Sequence, residues 1–249
     1  MAKADDRMIE RTVQEIAQKY LEKFYQKRSN PVKMYSQIEE RTKKIYGMKR
    51  ADGFLAYPSW FGRLYTVSME AKSHKTLAAL KPYRVTKLWV LDAIWVGFLA
   101  TMLSGTLFLI WSPNYNILLR LLLPFGIWAA VAILWAIFRK DSYKYQEMDV
   151  IKQVFQYPAN ERWISFSYDA LEMIDQKLRD NVFRICAGRG IGVLLVNANK
   201  DVHLVAKPKY NFKWKGDFVS YYLNEPEIRD FLKKGDTASK GRTVNKIKK

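Results

Sequence analysis

The sequence predicts a mixed α/β domain, its sheet flanked by helices and its chain interrupted by a transmembrane helical hairpin. Two runs without a charged residue, 93–111 and 121–138, stand near the middle of the chain. Each approaches the roughly 20 apolar residues that cross a hydrocarbon core about 30 Å thick. On either side, short β-branched and aromatic stretches alternate with segments of helical periodicity, the mixture from which layered α/β domains are built.

The chain has 249 residues and a formal net charge of +18. Without the hairpin roughly 200 residues remain, enough for one domain with its own core. A single cysteine, Cys186, excludes an internal disulfide and a cysteine-built zinc site, and two histidines, His74 and His203, are too few for a His-rich metal centre. The cationic excess calls for an anionic partner, either nucleic acid or acidic lipid headgroups.

Taken in order, residues 5–27 place Met8, Val13, Ile16, Tyr20 and Phe24 at helical spacing and read as a basic amphipathic helix filling segment 1–30. Ser29-Asn30-Pro31 ends it. A second helix is predicted over 31–46, with Met34, Ile38, Thr42 and Ile45 on one face and Gly47 as its stop. A β-hairpin follows, with strands at 54–57 and 65–69 around a turn containing Pro58, Ser59 and Gly62. A short helix is expected over 75–81.

Beyond the apolar runs, 142–157 reads as a helix ended by Pro158, 162–167 as a strand and 169–187 as an amphipathic helix. Residues 190–196 make a buried strand and 202–206 another. A last helix is capped by Asn224 and carries Ile228, Phe231 and Leu232. Segments 31–87 and 141–234 are therefore expected to form one domain around the hairpin of 88–140, and the polar, basic tail 235–249 is expected to be disordered.

No apolar leader opens the chain, so the first apolar run is expected to act as its own insertion signal. The connector 112–116 is uncharged and contains Pro113-Asn114, a turn signal. The outer flanks are basic: Lys81, Arg84 and Lys87 before the first span, Arg139, Lys140 and Lys144 after the second. The excess of cations on the cytoplasmic side of membrane proteins then puts both termini in the cytoplasm. Gly97, Ser104 and Gly105, facing Gly126, Ala129, Ala130 and Ala132, let the two helices approach closely. The alternative is a pair of helices buried in a large soluble core.

The chemistry-bearing residues lie just before the hairpin. Glu70 and Lys72 are two apart on a predicted strand, so their side chains share a face. Asp52, on the neighbouring strand or its edge, reaches the same face. Two carboxylates and the Ala71 carbonyl offer hard oxygen ligands to Mg²⁺ or Mn²⁺, which would activate a water against a phosphodiester while Lys72 offsets developing charge. The competing account of Glu70 and Lys72 is a solvated strand face. Farther on, Lys207-Pro208-Lys209-Tyr210-Asn211-Phe212-Lys213-Trp214-Lys215 interleaves cations with aromatic rings. Lys207, Lys209, Lys213, Trp214 and Lys215 there suit nucleic acid, by phosphate contact and base stacking, or a layer of lipid headgroups.

The stretches Ala51-Asp52-Gly53-Phe54-Leu55-Ala56 and Val67-Ser68-Met69-Glu70-Ala71-Lys72-Ser73 resemble the PD-(D/E)xK superfamily of restriction-endonuclease-like nucleases. The segment Gln153-Val154-Phe155-Gln156-Tyr157 is similar to the Gln-x-x-x-Tyr element of some of its families. The resemblance covers about 31–75 and 142–206. It implies a restriction-endonuclease-like fold with Asp52 and Glu70 as metal ligands, Lys72 as the catalytic lysine, and Gln153 and Tyr157 as accessory contacts. Glu39 or Glu40, on the predicted second helix, would be the extra helical carboxylate of many members. The hairpin inserted after the lysine strand departs from the family pattern.

The expected function is thus a membrane-anchored, Mg²⁺-dependent nuclease acting on phosphodiester bonds, DNA before RNA, at a cell inner membrane with two spans. The alternative is a non-catalytic membrane protein that uses a nuclease-like fold to bind nucleic acid or a protein. The partners implied are nucleic acid, the bilayer through 88–138 and, as an open option, a further copy of the chain.

Overall fold

The structure is a computed structural model that describes residues 8–59, 62–74, 80–111, 116–140 and 142–233. In chain order the elements are helix α1 (Glu10–Ser29), strands β1 (Tyr35–Arg41), β2 (Arg50–Pro58), β3 (Leu64–Lys72) and β4 (Tyr83–Arg84), and helices α2 (Thr86–Trp111) and α3 (Ile117–Arg139). Strand β5 (Gln146–Glu147), helix α4 (Asp149–Phe155), strand β6 (Glu161–Ser167), helices α5 (Tyr168–Glu172) and α6 (Gln176–Gly188), and strands β7 (Gly192–Val196) and β8 (Val202–Ala206) follow. Helix α7 (225–233) is the last described element. The chain forms two compact units, one of Met1–Lys81 with Met148–Lys249 and one of Pro82–Glu147.

The first unit is built on a mixed six-stranded sheet of order β1-β2-β3-β6-β7-β8. β1, β2 and β3 pair antiparallel, β6 and β7 join in parallel, and β8 closes the far edge antiparallel. Successive side chains leave a strand on opposite faces, and the core divides accordingly. On one face, Val13, Ala17, Leu21 and Tyr25 of α1 cover Leu55, Val67, Met69, Ala71, Trp163 and Leu194. On the other, Met148, Ile151, Val154, Leu171, Val182 and Ile185 cover Ile164, Phe166 and Val193. A third cluster packs Val219, Tyr222, Ile228 and Leu232 on Tyr35, Phe54 and Ala56. Burying a side chain of this size contributes about 1.5–3 kcal/mol, so these two faces account for why α1 and α4–α7 dock.

Charge is also buried under α1. Glu161 opens β6 at 1% exposure. Its carboxylate accepts Arg28 Nη1 at 2.9 Å and the Tyr25 hydroxyl, whose oxygen in turn accepts Trp163 Nε1 at 2.8 Å. The carboxylate is therefore paired and hydrogen-bonded, the condition under which a buried ion is tolerated.

Three predicted elements are corrected. Residues 31–46 form β1 and a 3₁₀ turn, Lys44–Tyr46, rather than a helix. Glu39 adopts a left-handed φ of 64° within the strand, and the buried residues of β1 are Tyr35 and Glu40, whereas Ile38 and Ile45 of the expected helical face are exposed. Residues 142–157 divide into a 3₁₀ turn at Tyr143–Tyr145, β5 and α4. The helix expected over 169–187 is two helices, separated where the Asp175 side chain accepts Leu178 N–H at 2.6 Å and caps α6. The tail 235–249, most of the short helix at 75–81 and most of the hairpin connector lie outside the described residues.

The second unit holds the two apolar helices, bracketed by the β4–β5 ribbon. Both are long and apolar enough to cross a membrane, with mean hydropathy 1.6 over Thr86–Phe108 and 1.9 over Leu122–Arg139. Their large side chains face outward, Leu99, Leu103, Phe125 and Ile133 each being more than half exposed. That removes the alternative of helices buried in a soluble core, since apolar area left in water forfeits about 25 cal/mol per Å². The helices touch closely at Gly97, where an added Cβ would lie 2.8 Å from the Trp128 carbonyl oxygen and 3.1 Å from Ala132 Cβ. Thr101 Oγ donates to the Gly97 carbonyl on its own helix at 3.0 Å and lies 3.2 Å from the Pro124 carbonyl of the other.

Candidate active site

β2 and β3 are antiparallel, with Gly53 opposite Met69. One step farther along, Asp52 comes level with Glu70 at the carboxyl end of β3. There the Asp52 carboxylate takes the place of a backbone acceptor: Oδ2 accepts the Ala71 N–H at 2.8 Å. β3 is flanked on its other side by the parallel β6, with Glu70 opposite Ile164 and Lys72 opposite Phe166. A central strand with both neighbours fixed holds Glu70 and Lys72 on one face.

Glu70 and Lys72 are each 5% exposed, so the solvated strand face is excluded. Lys72 Nζ donates to Glu70 Oε1 at 2.7 Å and lies 3.8 Å from Glu10 Oε1. Glu70 Oε2 is buried and has no hydrogen-bond partner among the described residues. Asp52 is half-buried, and Gln14 of α1 donates to its backbone carbonyl, which ties the strand end to the helix. Three carboxylates, Glu10, Asp52 and Glu70, thus surround one ammonium within a strongly cationic chain.

Burial pushes the Glu70 carboxyl up to about 7, with the neighbouring Asp52 charge adding to the rise and Lys72 and Tyr157 opposing it. Asp52 is also raised, chiefly by burial, against the Ala71 N–H and the Lys72 ammonium. Tyr157, buried just beyond α4, is raised by burial and by the Glu70 charge. Two carboxylates that resist ionising together are a site short of positive charge.

The donor set fits a hard divalent cation. The unpartnered Glu70 Oε2 is an oxygen ligand without a donor, and Asp52 and the Ala71 carbonyl stand beside it in the chain's register. Among the described residues no group of three His, Cys, Asp or Glu side chains forms a preformed metal cage. Mg²⁺ does not require one, because it keeps several waters and takes only one or two carboxylates.

Of the residues singled out in the sequence, Asp52, Glu70, Lys72 and Tyr157 are brought together. Gln153 lies on α4, its Oε1 buried without a partner among the described residues. Glu39 and Glu40 are on a strand, so neither is a helical carboxylate. Glu39 pairs with Arg50 at 3.4 Å, and Glu40 is buried with Asn224 Nδ2 at 3.4 Å. The helical carboxylate at the site is Glu10, the first residue of α1. The sequence alone does not single it out, because it lies inside the helix expected over 5–27.

The 207–215 segment runs on after β8 and divides by role. Lys213 is not free: its Nζ donates to the Asp217 carbonyl at 2.6 Å and to Ser220 Oγ at 3.0 Å, and sits 4.1 Å from the Tyr221 ring centroid. Lys209 fastens the segment through its backbone N–H to the Gly190 carbonyl. Lys207, Trp214 and Lys215 face solvent. Comparisons of the chain with protein-family models, curated proteins and solved structures find no match.

Proposed function

We propose that the chain is a membrane-anchored, divalent-metal-dependent nuclease that hydrolyses phosphodiester bonds, DNA first among its substrates. The observation that carries this reading is the buried Glu70–Lys72 pair beside Asp52, with one Glu70 oxygen left without a donor. The order α1, β1–β2–β3, α4, β6, with β6 parallel to β3, supports the restriction-endonuclease-like fold that the motif resemblance implies. The two exposed apolar helices support the anchor, which we place in a cell inner membrane with both termini in the cytoplasm.

In this reading Asp52, Glu70 and the Ala71 carbonyl hold Mg²⁺ or Mn²⁺. When bound, the ion polarises the scissile phosphate and lowers the pKa of a water. The chain's own residues do the rest. Lys72, held between Glu70 and Glu10, keeps its ammonium at the site and stabilises the extra negative charge of the transition state. Glu10 fixes the position of Lys72, and Lys72 that of Glu70. The burial that raises the Glu70 carboxyl also excludes bulk water and strengthens each of these charge interactions.

The test is hydrolysis of linear duplex DNA, single-stranded DNA and RNA by detergent-purified protein with Mg²⁺ or Mn²⁺. Wild type is run beside Lys72→Ala and Glu70→Ala. Cutting by wild type that both variants lose supports the reading. Equal rates in all three would sink it.

A further inference from the structure

A cationic groove of the first unit lies away from the carboxylates. It has a volume of about 850 Å³ and runs between α1 and the chain leaving β8, lined by Tyr20, Lys23, Phe24, Lys27, Arg28, Lys207 and Pro208. No acidic residue lines it. Tyr20, Lys23, Phe24 and Lys27 follow the i, i+3, i+4, i+7 rule and share one flank of the helix. Arg28 is committed to Glu161. Lys23, Lys27 and Lys207 are exposed and make no ion pair among the described residues. The Tyr20 and Phe24 rings lie nearly parallel, 22° apart with centroids at 6.2 Å.

We propose that this groove is a docking track for one single strand of nucleic acid. The proposal deepens the nuclease reading and takes its substrate class from it. Unpaired cations beside stackable rings are what a strand with unpaired bases requires: phosphates meet the ammonium groups and bases stack on the aromatics. A duplex, its bases already stacked inside, has no use for the rings. The groove shares α1 with the site, because the first residue of that helix, Glu10, lies 3.8 Å from Lys72. From Glu10 to Phe24 the helix rises about 21 Å at 1.5 Å per residue. A strand stacked at about 3.4 Å per nucleotide covers that span with about six nucleotides. In this proposal the nucleic-acid contact lies on the basic flank of α1, with Lys207 shared with the 207–215 segment.

The test uses full-length protein in detergent and a fluorescent single-stranded DNA of about 20 nucleotides, longer than the track, with chelator present so that nothing is cut. Lys23→Ala/Lys27→Ala/Lys207→Ala is compared with Lys44→Ala/Lys177→Ala/Lys233→Ala, which removes the same charge from other exposed positions. The groove variant is expected to bind about tenfold or more weakly and to lose about 2 from the slope of log affinity against log salt, the value for three phosphate contacts on a single strand. The control variant is expected to keep both. Equal affinity and slope in the two variants overturn the proposal. So does a groove variant that holds the oligonucleotide normally but no longer binds phosphatidylglycerol vesicles, which makes the groove a headgroup surface. Adding Mg²⁺ afterwards separates the two readings: groove-dependent binding without cutting supports the track and removes the nuclease.

Discussion

Asp52 and Ala71 meet at the end of the β2–β3 pair, where a side-chain carboxylate, not a backbone carbonyl, accepts the strand's N–H at 2.8 Å. The same carboxylate is therefore both a fold contact and a proposed metal ligand. The two roles separate by substitution. Asp52→Asn keeps an acceptor and is expected to unfold within about 1 kcal/mol of wild type, whereas Asp52→Ala leaves the amide unsatisfied and costs about 1–3 kcal/mol. Both are expected to abolish metal-dependent cleavage. Urea unfolding in detergent beside a cleavage assay checks the pair, and an active Asp52→Ala protein would remove Asp52 from the site.

Glu70 makes stability depend on pH in a defined direction. Its carboxyl is raised from 4.5 to about 7, so between those values the folded state keeps a proton that the unfolded chain has lost. Stability then falls as pH rises through this window. At about 1.4 kcal/mol per pH unit of displacement the loss reaches about 3 kcal/mol by pH 8. Glu70→Gln, which cannot ionise, is expected to overtake wild type in stability across the same window. Parallel unfolding profiles for the two proteins from pH 4.5 to 8 would contradict the assignment. Added Mg²⁺, favouring the ionised carboxylates, is expected to flatten the wild-type profile.

Lys72 is nearly buried between two carboxylates. Lys72→Met keeps most of the volume and removes the charge. Breaking a buried pair by deleting one partner costs about 3–5 kcal/mol, and the loss is expected at pH 8, where Glu70 is ionised, but is mostly relieved at pH 5, where it is protonated. Cleavage is expected to fall by about 10²–10³, the usual effect of losing one transition-state donor. An unfolding free energy lowered equally at both pH values would show that the ammonium acts through packing alone.

Glu161 tests the buried network on the opposite end of β6. Glu161→Ala removes the acceptor of the buried Tyr25 hydroxyl and the partner of the half-exposed Arg28, and is expected to cost about 1–3 kcal/mol. It is expected to leave metal affinity, measured by calorimetry on the folded protein, within about twofold of wild type, because sites that share no partner contribute independently. A selective loss of metal affinity without destabilisation would place Glu161 in the wrong network.

Within the hairpin, Gly97→Leu forces α2 and α3 apart where an added Cβ already meets the Trp128 carbonyl. Overpacking of this kind costs about 1–3 kcal/mol. Cysteine pairs introduced across the α2–α3 contact are expected to cross-link in wild type and to do so more slowly in Gly97→Leu. Equal rates would mean that the helices do not touch there.

Much of the fold is legible from the sequence because it rests on local periodicity. The apolar repeat Met8, Val13, Ile16, Tyr20 and Phe24 marks α1 as a helix, although the stripe it buries is Val13, Ala17, Leu21 and Tyr25, and the strands around Val67, Ile164 and Leu194 announce themselves by β-branched and apolar content. The apolar helices are set by length and hydropathy alone. Where reading failed, a long-range partner had overruled the local pattern. β1 pairs with β2 from Tyr35 to Arg41, so the helical spacing of Met34, Ile38, Thr42 and Ile45 is overruled by strand pairing. Gln146–Glu147 leave a helical run to pair with Tyr83–Arg84 across the hairpin.

The sequence by itself determined that a carboxylate and a lysine share a strand face, that an aspartate precedes them, and that two apolar spans interrupt the chain. These follow from the two-residue repeat of a strand and from the count of uncharged residues. Only the tertiary structure decided which carboxylate joins them, replacing Glu39 and Glu40 by Glu10, and which lysines stay free, removing Lys213 and adding Lys23 and Lys27. The reason is that convergence depends on strand register and on where α1 docks. Both are set by burial of apolar area between residues far apart in the chain, on which short-range spacing carries no information.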